Sequence, residues 1–566
     1  MFLRLMKPFK SSTSPRLPAY RAAWVGRLLV TTILLAPAFA WASLSAETPP
    51  APPTDGATSG SQPASQTDTT PRFYIQEYRV EGGGNLLSRM ETEEAVYPYL
   101  GPYRTAADVD QARSALEQAY RNKGYQTVTV EVPVQHAKSG IIFLKVNQGE
   151  VGRLRVLGSR YFSIDEIKRE APSLQEGASP NFTQVTHDLV VLNQLSDRRI
   201  TPTVRAGEIP GTVDVDLNVK DTMPLHGSLE INNRYSANTT DLRLNGSMNY
   251  DNLWQLGHSI GASFQISPEN LTNVKVFSGY YLARIPGVDW LSLMAQGTSQ
   301  DSDVNTLGGI GVVGKGDTVG GRAIISLPQL DGFYHSVSLG IDYKNYDQNL
   351  IVAGVSSVTP VTYYPFSAAY SGTWLGKGYE TDMNASVNWS FRGLGSDEAL
   401  FEKNRHDADG SFIYFRGDLS HTRDLPEGFQ VFVKGQGQAS ETPLLNSEQF
   451  SGGGLGTVRG YLESEELGDN GIFGTLEMRS PSLSDLFGKT VDEWRFYLFG
   501  DGGLLTIDDA LPQQTEKYKL ASVGVGTRMK LAKHYNGSLD FALPLDNGTT
   551  TNAYEPLLTF RLWAEF

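Results

Sequence analysis

Asp382-Met383-Asn384-Ala385-Ser386-Val387-Asn388-Trp389-Ser390-Phe391 places an apolar residue at every second position and a polar one between. A strand turns successive side chains to opposite faces. This run therefore shows Met383, Ala385, Val387, Trp389 and Phe391 to an apolar medium and its polar residues to a wet one. The same alternation carries Leu242, Leu244, Gly246, Met248 and Tyr250 against Arg243, Asn245, Ser247 and Asn249. It returns in His335, Val337, Leu339, Ile341 and Tyr343 against Ser336, Ser338, Gly340 and Asp342. Runs of about ten such residues suit a tilted strand crossing a bilayer as part of a closed barrel.

A soluble sandwich would alternate as well, but three features speak for the membrane. The strand-only block, roughly 342 residues from about residue 222 onward, is long for a sandwich. All six tryptophans beyond the N-terminal leader (Trp254, Trp290, Trp374, Trp389, Trp494 and Trp563) fall inside it, as interfacial girdles require. The last strand alternates through Leu558, Phe560, Leu562 and Ala564 to Phe566, and an aromatic C-terminus of this kind resembles the signal by which barrel-assembly machinery recognises outer-membrane proteins. Length alone gives about 14 to 18 strands, an even number by the usual rule.

Working back toward the N-terminus, the chain changes character twice. Residues 72–148 and 149–221 repeat one soluble pattern, β-α-α-β-β, with Arg79-Val80-Glu81-Gly82 echoed by Arg155-Val156-Leu157-Gly158. In the first copy the expected strands are Phe73–Val80, Thr127–Val132 and Gly140–Asn147. Between them lies a helix with Thr105 as cap, Asp108 three residues on, and Gly124 as stop. In the second copy the strands are Val151–Leu157, Arg199–Ala206 and Val213–Lys220, with Val185, Leu189 and Leu192 on the buried helix face.

Residues 43–71, rich in Pro, Ser, Thr and Ala, read as a disordered linker. Residues 1–42 read as a secretory signal: Arg4, Lys7, Lys10, Arg16, Arg21 and Arg27 precede or flank the apolar stretch Leu28–Phe39, and Ala38-Phe39-Ala40 and Ala40-Trp41-Ala42 offer small-x-small cleavage sites. Removing those six charges takes the formal net charge from −14 to −20. So acidic a chain is not suited to nucleic acid.

The chain has no cysteine, which excludes disulfide frameworks, thiolate metal sites and cysteine nucleophiles. Its eight histidines show no pair at metal-ligand spacing, so neither a metal nor a cofactor is expected, and no catalytic constellation emerges. Gly309-Ile310-Gly311-Val312-Val313-Gly314 has the letters of a dinucleotide fingerprint. It runs into Lys315-Gly316-Asp317-Thr318, read as a turn, and then into more strand, where the fingerprint needs a helix. Gly488-Lys489-Thr490 lacks the glycine a phosphate loop needs five residues earlier, which is Leu483. Arg416-Gly417-Asp418 falls within an alternating strand.

One constellation stands apart. Gln449-Phe450-Ser451 leads through Gly452-Gly453-Gly454-Leu455-Gly456-Thr457 to Val458-Arg459-Gly460-Tyr461. About forty residues later Phe496-Tyr497-Leu498-Phe499-Gly500-Asp501-Gly502-Gly503 carries a single acid on an aromatic strand, and its two final glycines permit close backbone approach. A guanidinium can grip a carboxylate by two parallel hydrogen bonds. The two residues read either as such partners or as separate solvated charges in an open pore.

With these motifs the chain resembles the two-partner secretion transporters, the FhaC/ShlB/HecB haemolysin secretion/activation family of the BamA/TamA superfamily. Val458-Arg459-Gly460-Tyr461 matches the superfamily tetrad, carried on an extracellular loop that folds into the lumen, and Phe499-Gly500-Asp501 matches its partner motif. Pro210-Gly211, Gly314-Lys315-Gly316 with Leu327-Pro328, and Pro443-Leu444-Leu445 add to the resemblance, which spans about residues 72 to 566.

The resemblance implies two periplasmic POTRA (polypeptide-transport-associated) domains and a sixteen-stranded outer-membrane barrel over 222–566. It also implies an Arg459–Asp501 pair holding the tetrad loop, near 449–470, in place. It implies no enzyme but a transporter that binds an unfolded, large secreted exoprotein and exports it. The alternative is an assembly factor of the BamA/TamA kind, whose members carry more than two repeats. Many family members also plug the pore with an N-terminal amphipathic helix, but residues 43–71 show no apolar stripe to form one.

Overall fold

The computed structural model describes residues 71–566, apart from 136–138, 306–311, 329, 353, 354 and 513. The expected signal (1–42) and nearly all of the linker (43–71), together with Gly309–Gly311 of the fingerprint-like string, lie outside the described residues.

The two soluble copies build the same small sheet. In the first, Glu77–Gly82 runs parallel to Ile141–Asn147, which is antiparallel to Thr129–Glu131. In the second, Glu150–Leu157 runs parallel to Thr212–Asp221, which is antiparallel to Arg198–Ala206. Each sheet is covered by two helices, Arg89–Val96 with Ala106–Asn122 and Ile164–Arg169 with Phe182–Leu192. The predicted face of the long first-copy helix is the buried one, through Val109, Ala112 and Leu116. Its cap forms as read: the Thr105 N–H donates to the Asp108 carboxylate at 2.8 Å, and Gly124 takes φ +100° just beyond its end.

One element differs. Phe73–Val80, expected as one strand, breaks at Gln76. Phe73–Ile75 pairs instead with Gly101–Arg104 in a separate two-stranded sheet. The Gln76 N–H turns to the Gly140 carbonyl at 2.7 Å, which redirects the chain.

The two copies meet end to end. The Phe182 N–H, at the start of the second copy's long helix, donates to the Gly124 carbonyl at 2.9 Å, and Asn181 Nδ2 donates to the Lys123 carbonyl at 3.0 Å.

From Leu225 the chain forms a closed antiparallel barrel. Val355–Tyr363 and Phe366–Gly376 both pair with Phe333–Val352 and form a single wall strand interrupted at Tyr364-Pro365, which gives sixteen wall strands. Proline lacks a ladder donor and interrupts a strand in this way. The first strand, Leu225–Asn232, closes on the last, Leu557–Glu565, from Arg561↔Asn232 to Glu565↔Ser228, and Phe566 and Gly227 exchange backbone bonds at 3.1 Å.

The alternation of the sequence becomes the two faces of this wall. Ile341, Met383, Phe415, Leu476, Leu498, Val525, Phe541 and Leu562 are exposed on the outside, while Gln265, Gln296, Glu477, Arg495, Asp501 and Asp540 are buried inside. The outer belt is what a bilayer would cover. Trp254, Trp290 and Trp374 are more than half exposed near the end that carries the soluble units, and Trp389 stacks on Phe366 toward the opposite end.

Trp563 departs from the girdle expectation. It shares the inward parity of Arg561, whose guanidinium lies 4.8 Å from its ring, and its indole N–H donates to Glu565 at 2.6 Å. Lys315–Thr318 is likewise no turn but lies within the strand Val312–Ser326. A side chain at Gly316 would collide with the Tyr346 ring 2.5 Å away, so that glycine serves packing across the ladder.

Candidate functional site

Residues 441–469 connect Gln430–Ser440 to Asn470–Arg479 at the end of the barrel away from the soluble units. Most of them are buried, because the loop turns back into the lumen. Phe450–Gly452 and Glu466–Gly468 pair as a small hairpin at its neck. Gly453 and Gly454, at φ +102° and +84°, bend the chain inward.

Arg459 sits at the inward tip, 5 % exposed. Its Nε donates to Asp501 Oδ2 at 2.7 Å and its Nη2 to Oδ1 at 2.9 Å, the two-point grip of a guanidinium on a carboxylate. Its backbone N–H donates to the same carboxylate at 3.1 Å. Nη1 reaches Glu477 at 2.6 Å and Asp540 at 3.4 Å. These acids are held in turn: Arg479 donates to Glu477 at 2.9 Å, Arg528 to Glu477 at 3.2 Å, and the Tyr497 hydroxyl to Asp540 at 2.9 Å.

The other tetrad residues fix the tip sterically. Val458 and Tyr461 pack with Phe450, Phe473, Leu505 and Leu520. The Tyr461 hydroxyl donates to the Asp546 carbonyl at 2.7 Å and accepts from the Ala521 N–H at 3.3 Å. Gly460 has φ +89°, and a Cβ there would press on Ala542 at 3.2 Å, so only glycine fits without strain.

In the partner motif Phe499 and Asp501 face the lumen, while nothing lies within 4 Å of a side chain built at Gly500. The close approach expected of the two final glycines holds for Gly503, where a Cβ would stand 2.2 Å from the Ile472 carbonyl. At Gly502 the nearest atom is an ordinary 3.6 Å away.

Contacts missed by sequence reading hold the rest of the loop. Arg234, just past the end of the first wall strand, pairs with Glu463, and Lys434 and Gln436 donate to the Gly456 carbonyl at 3.0 and 2.7 Å. Glu465 and Glu466 bind the 549–551 backbone. At the loop's base Asp469, fully buried, accepts from the Leu444 and Asp508 backbone N–H groups at 2.8 Å, from the Gln449 side-chain amide at 3.0 Å and from Arg405 at 3.2 Å. Arg405 follows the short helix Glu398–Asn404 of a neighbouring loop. Burial, with Asp469 alongside, pushes the Asp508 carboxyl above its ordinary range. A charge at an inward strand position was the available signal for Glu477 and Asp540, but the lumen holds many such charges.

An apolar outer belt, a polar interior and a loop clamped within it define an outer-membrane β-barrel whose lumen is occupied by its own chain. Residues 211–529 match the family model described as Haemolysin secretion/activation protein ShlB/FhaC/HecB, and residues 73–149 match the POTRA domain, ShlB-type. The chain belongs to the ShlB/FhaC/HecB haemolysin secretion/activation family.

It is 23% identical over 433 residues to the outer membrane transporter CdiB of Dickeya dadantii, covering 71% of each chain. It is 21% identical over 478 residues to the heme/hemopexin transporter protein HuxB of Haemophilus influenzae, covering 79% of each. The solved CdiB from Escherichia coli superposes with a TM-score of 0.61 at 20% identity, over 89% of this chain and 93% of that one, and so shares the fold. The protein is a two-partner secretion transporter of the outer membrane with its soluble units in the periplasm, and the exporter reading prevails over the assembly-factor one.

Proposed function

We propose that residues 72–148 and 149–221 act as two POTRA domains that capture one dedicated exoprotein in extended form, and that the barrel, 222–566, passes it outward. Loop 441–469 is then the element that must yield, with Val458–Tyr461 as the transport motif and Phe499–Asp501 as its lock. The observation that carries this reading is the kind of bond that holds the tip. Arg459 grips wall side chains and takes no part in the strand ladder, so the loop can leave while every ladder hydrogen bond of the wall stays made.

The chain performs no chemistry of its own in this reading; folding of the cargo outside makes return unfavourable. The apolar belt meets outer-membrane lipid, the barrel-assembly machinery inserts the barrel, and nucleic acid has no part.

The test is deletion of this gene in its own strain, with one large exoprotein followed in the medium. Loss of that one protein from the medium, with other outer-membrane barrels at normal levels, is expected. Undiminished secretion, or a general loss of barrels, sinks the proposal.

A further inference from the structure

Three groups from three separate elements converge where the second soluble unit meets the barrel. Asp197 precedes the strand Arg198–Ala206, His226 lies on the first wall strand, and Asp251 lies on the second, Arg243–Leu253. His226 Nε2 stands 2.9 Å from Asp197 Oδ1 and 3.9 Å from Asp251 Oδ2, and one ligand atom from each residue lies within 4.8 Å of the others. Nitrogen and oxygen ligands about 2.0–2.2 Å from a tetrahedral ion sit roughly 3.3–3.5 Å apart. The observed 2.9 and 3.9 Å bracket that spacing.

The ligand atoms are also supported from behind. The Thr222 hydroxyl donates to Asp197 at 3.4 Å and Asn249 Nδ2 donates to Asp251 at 2.7 Å, as outer groups orient carboxylates in metal sites. Asp197 is itself buried.

We propose that Asp197, His226 and Asp251 bind one divalent transition cation, with water as the fourth ligand, and so tie the second soluble unit to the first two wall strands. Zn2+ fits this donor set best. Calcium takes six to eight oxygen ligands, soft Cu(I) takes thiolate or thioether, and one imidazole with two carboxylates suits neither. The bridge includes the strand on which the barrel closes.

The experiment titrates Zn2+ alone, then Co2+ as an optical probe, into chelator-stripped full-length protein in detergent. One ion per chain is expected, with visible absorption of tetrahedral Co2+. Asp251→Asn and His226→Gln should each weaken binding by roughly 10-fold or more. Asp251→Asn leaves the direct His226–Asp197 hydrogen bond in place, so it separates ion binding from folding of the junction. Limited proteolysis between residues 220 and 226 supplies a second readout, which Zn2+ should slow in the wild type but not in Asp251→Asn. Absence of a stoichiometric ion, or binding unchanged in both variants, leaves an imidazole–carboxylate hydrogen bond and overturns the proposal.

Discussion

The guanidinium carbon of Arg459 stands 3.5 Å from the centre of the Phe499 ring, so the tetrad arginine is stacked on the same strand that supplies its carboxylate two residues further on. The ring face attracts the cation and excludes water from the Asp501 contact, while the planar fork matches the carboxylate. Only a residue that is both flat and charged satisfies the two contacts together.

Arg459→Ala and Asp501→Ala are each expected to abolish or sharply reduce secretion of the cognate exoprotein while leaving an inserted, heat-modifiable barrel. Removing Asp501 takes away the two-point grip but leaves Arg459 its bonds to Glu477 and Asp540, while removing Arg459 strands the Asp501 charge, at about 3–5 kcal/mol. That is enough to displace a loop but small beside sixteen paired strands. Arg459→Lys should rescue poorly, because an ammonium reproduces neither the fork nor the stack. The double alanine variant should be no worse than either single one, as measured by cargo in the medium; strictly additive losses would show that the two do not act as a unit.

Cargo capture by strand addition should depend on one backbone position. In the edge strand Arg198–Ala206, the outward N–H and C=O of Ile200 are taken by Asn193, at 2.7 and 3.1 Å, and Pro202 has no N–H. Alternation leaves Val204 as the next outward donor. Val204→Pro in the full-length transporter is expected to weaken cargo binding and secretion while the ladder to Thr212–Asp221 persists. Normal secretion would place capture elsewhere.

The base of the loop should be separable from its tip. Asp469→Ala removes an acceptor shared by Arg405 and three N–H groups and leaves them buried without it. Channel conductance in planar bilayers is expected to rise, and protease added from outside should cut within 441–469. A variant as closed and as resistant as wild type would show that this end does not hold the loop.

A pH dependence belongs to the first soluble unit. Lys123, at 2.7 Å, and the Ser88 N–H, also at 2.7 Å, hold the Glu91 carboxyl down at about 2 from an ordinary 4.5. A depressed carboxyl stabilises the fold above its unfolded value, and that contribution is lost as pH falls from about 4.5 toward 2. Hydrogen exchange in residues 89–104 should therefore be faster in Glu91→Gln than in wild type at pH 7, with the gap shrinking below pH 4. A gap that is constant with pH would assign the effect to something other than this charge.

The wall was legible because its solvent imposes a period of two. Met383, Leu419 and Leu476 could be assigned to the outer face by counting from any neighbour. The same counting rule places Trp563 inside, where composition alone put it in a girdle. The Gln76 break was hidden because Phe73–Val80 has strand-forming residues throughout and only the distant Gly140 carbonyl diverts it.

At the tip, Arg459 and Asp501 were readable from their motifs. Glu477, Asp540 and Arg528 were not, since a charge on an inward position says nothing of which other strand it faces. His226 and Asp197 lie 29 residues apart in different domains, a separation that no local spacing rule detects.

The cluster at the loop tip holds three arginines, Arg459, Arg479 and Arg528, against three acids, Glu477, Asp501 and Asp540. Of these six only Arg459 belongs to the loop. In the export proposed here the tip withdraws, and the wall that remains has one negative charge in excess, with Asp501 facing an emptied socket lined by Phe499. Release of the loop is therefore also the unmasking of an anionic, aromatic-floored receptor inside the conduit. On that reading, the side chain best shaped to fill it is an arginine on the polypeptide threading past.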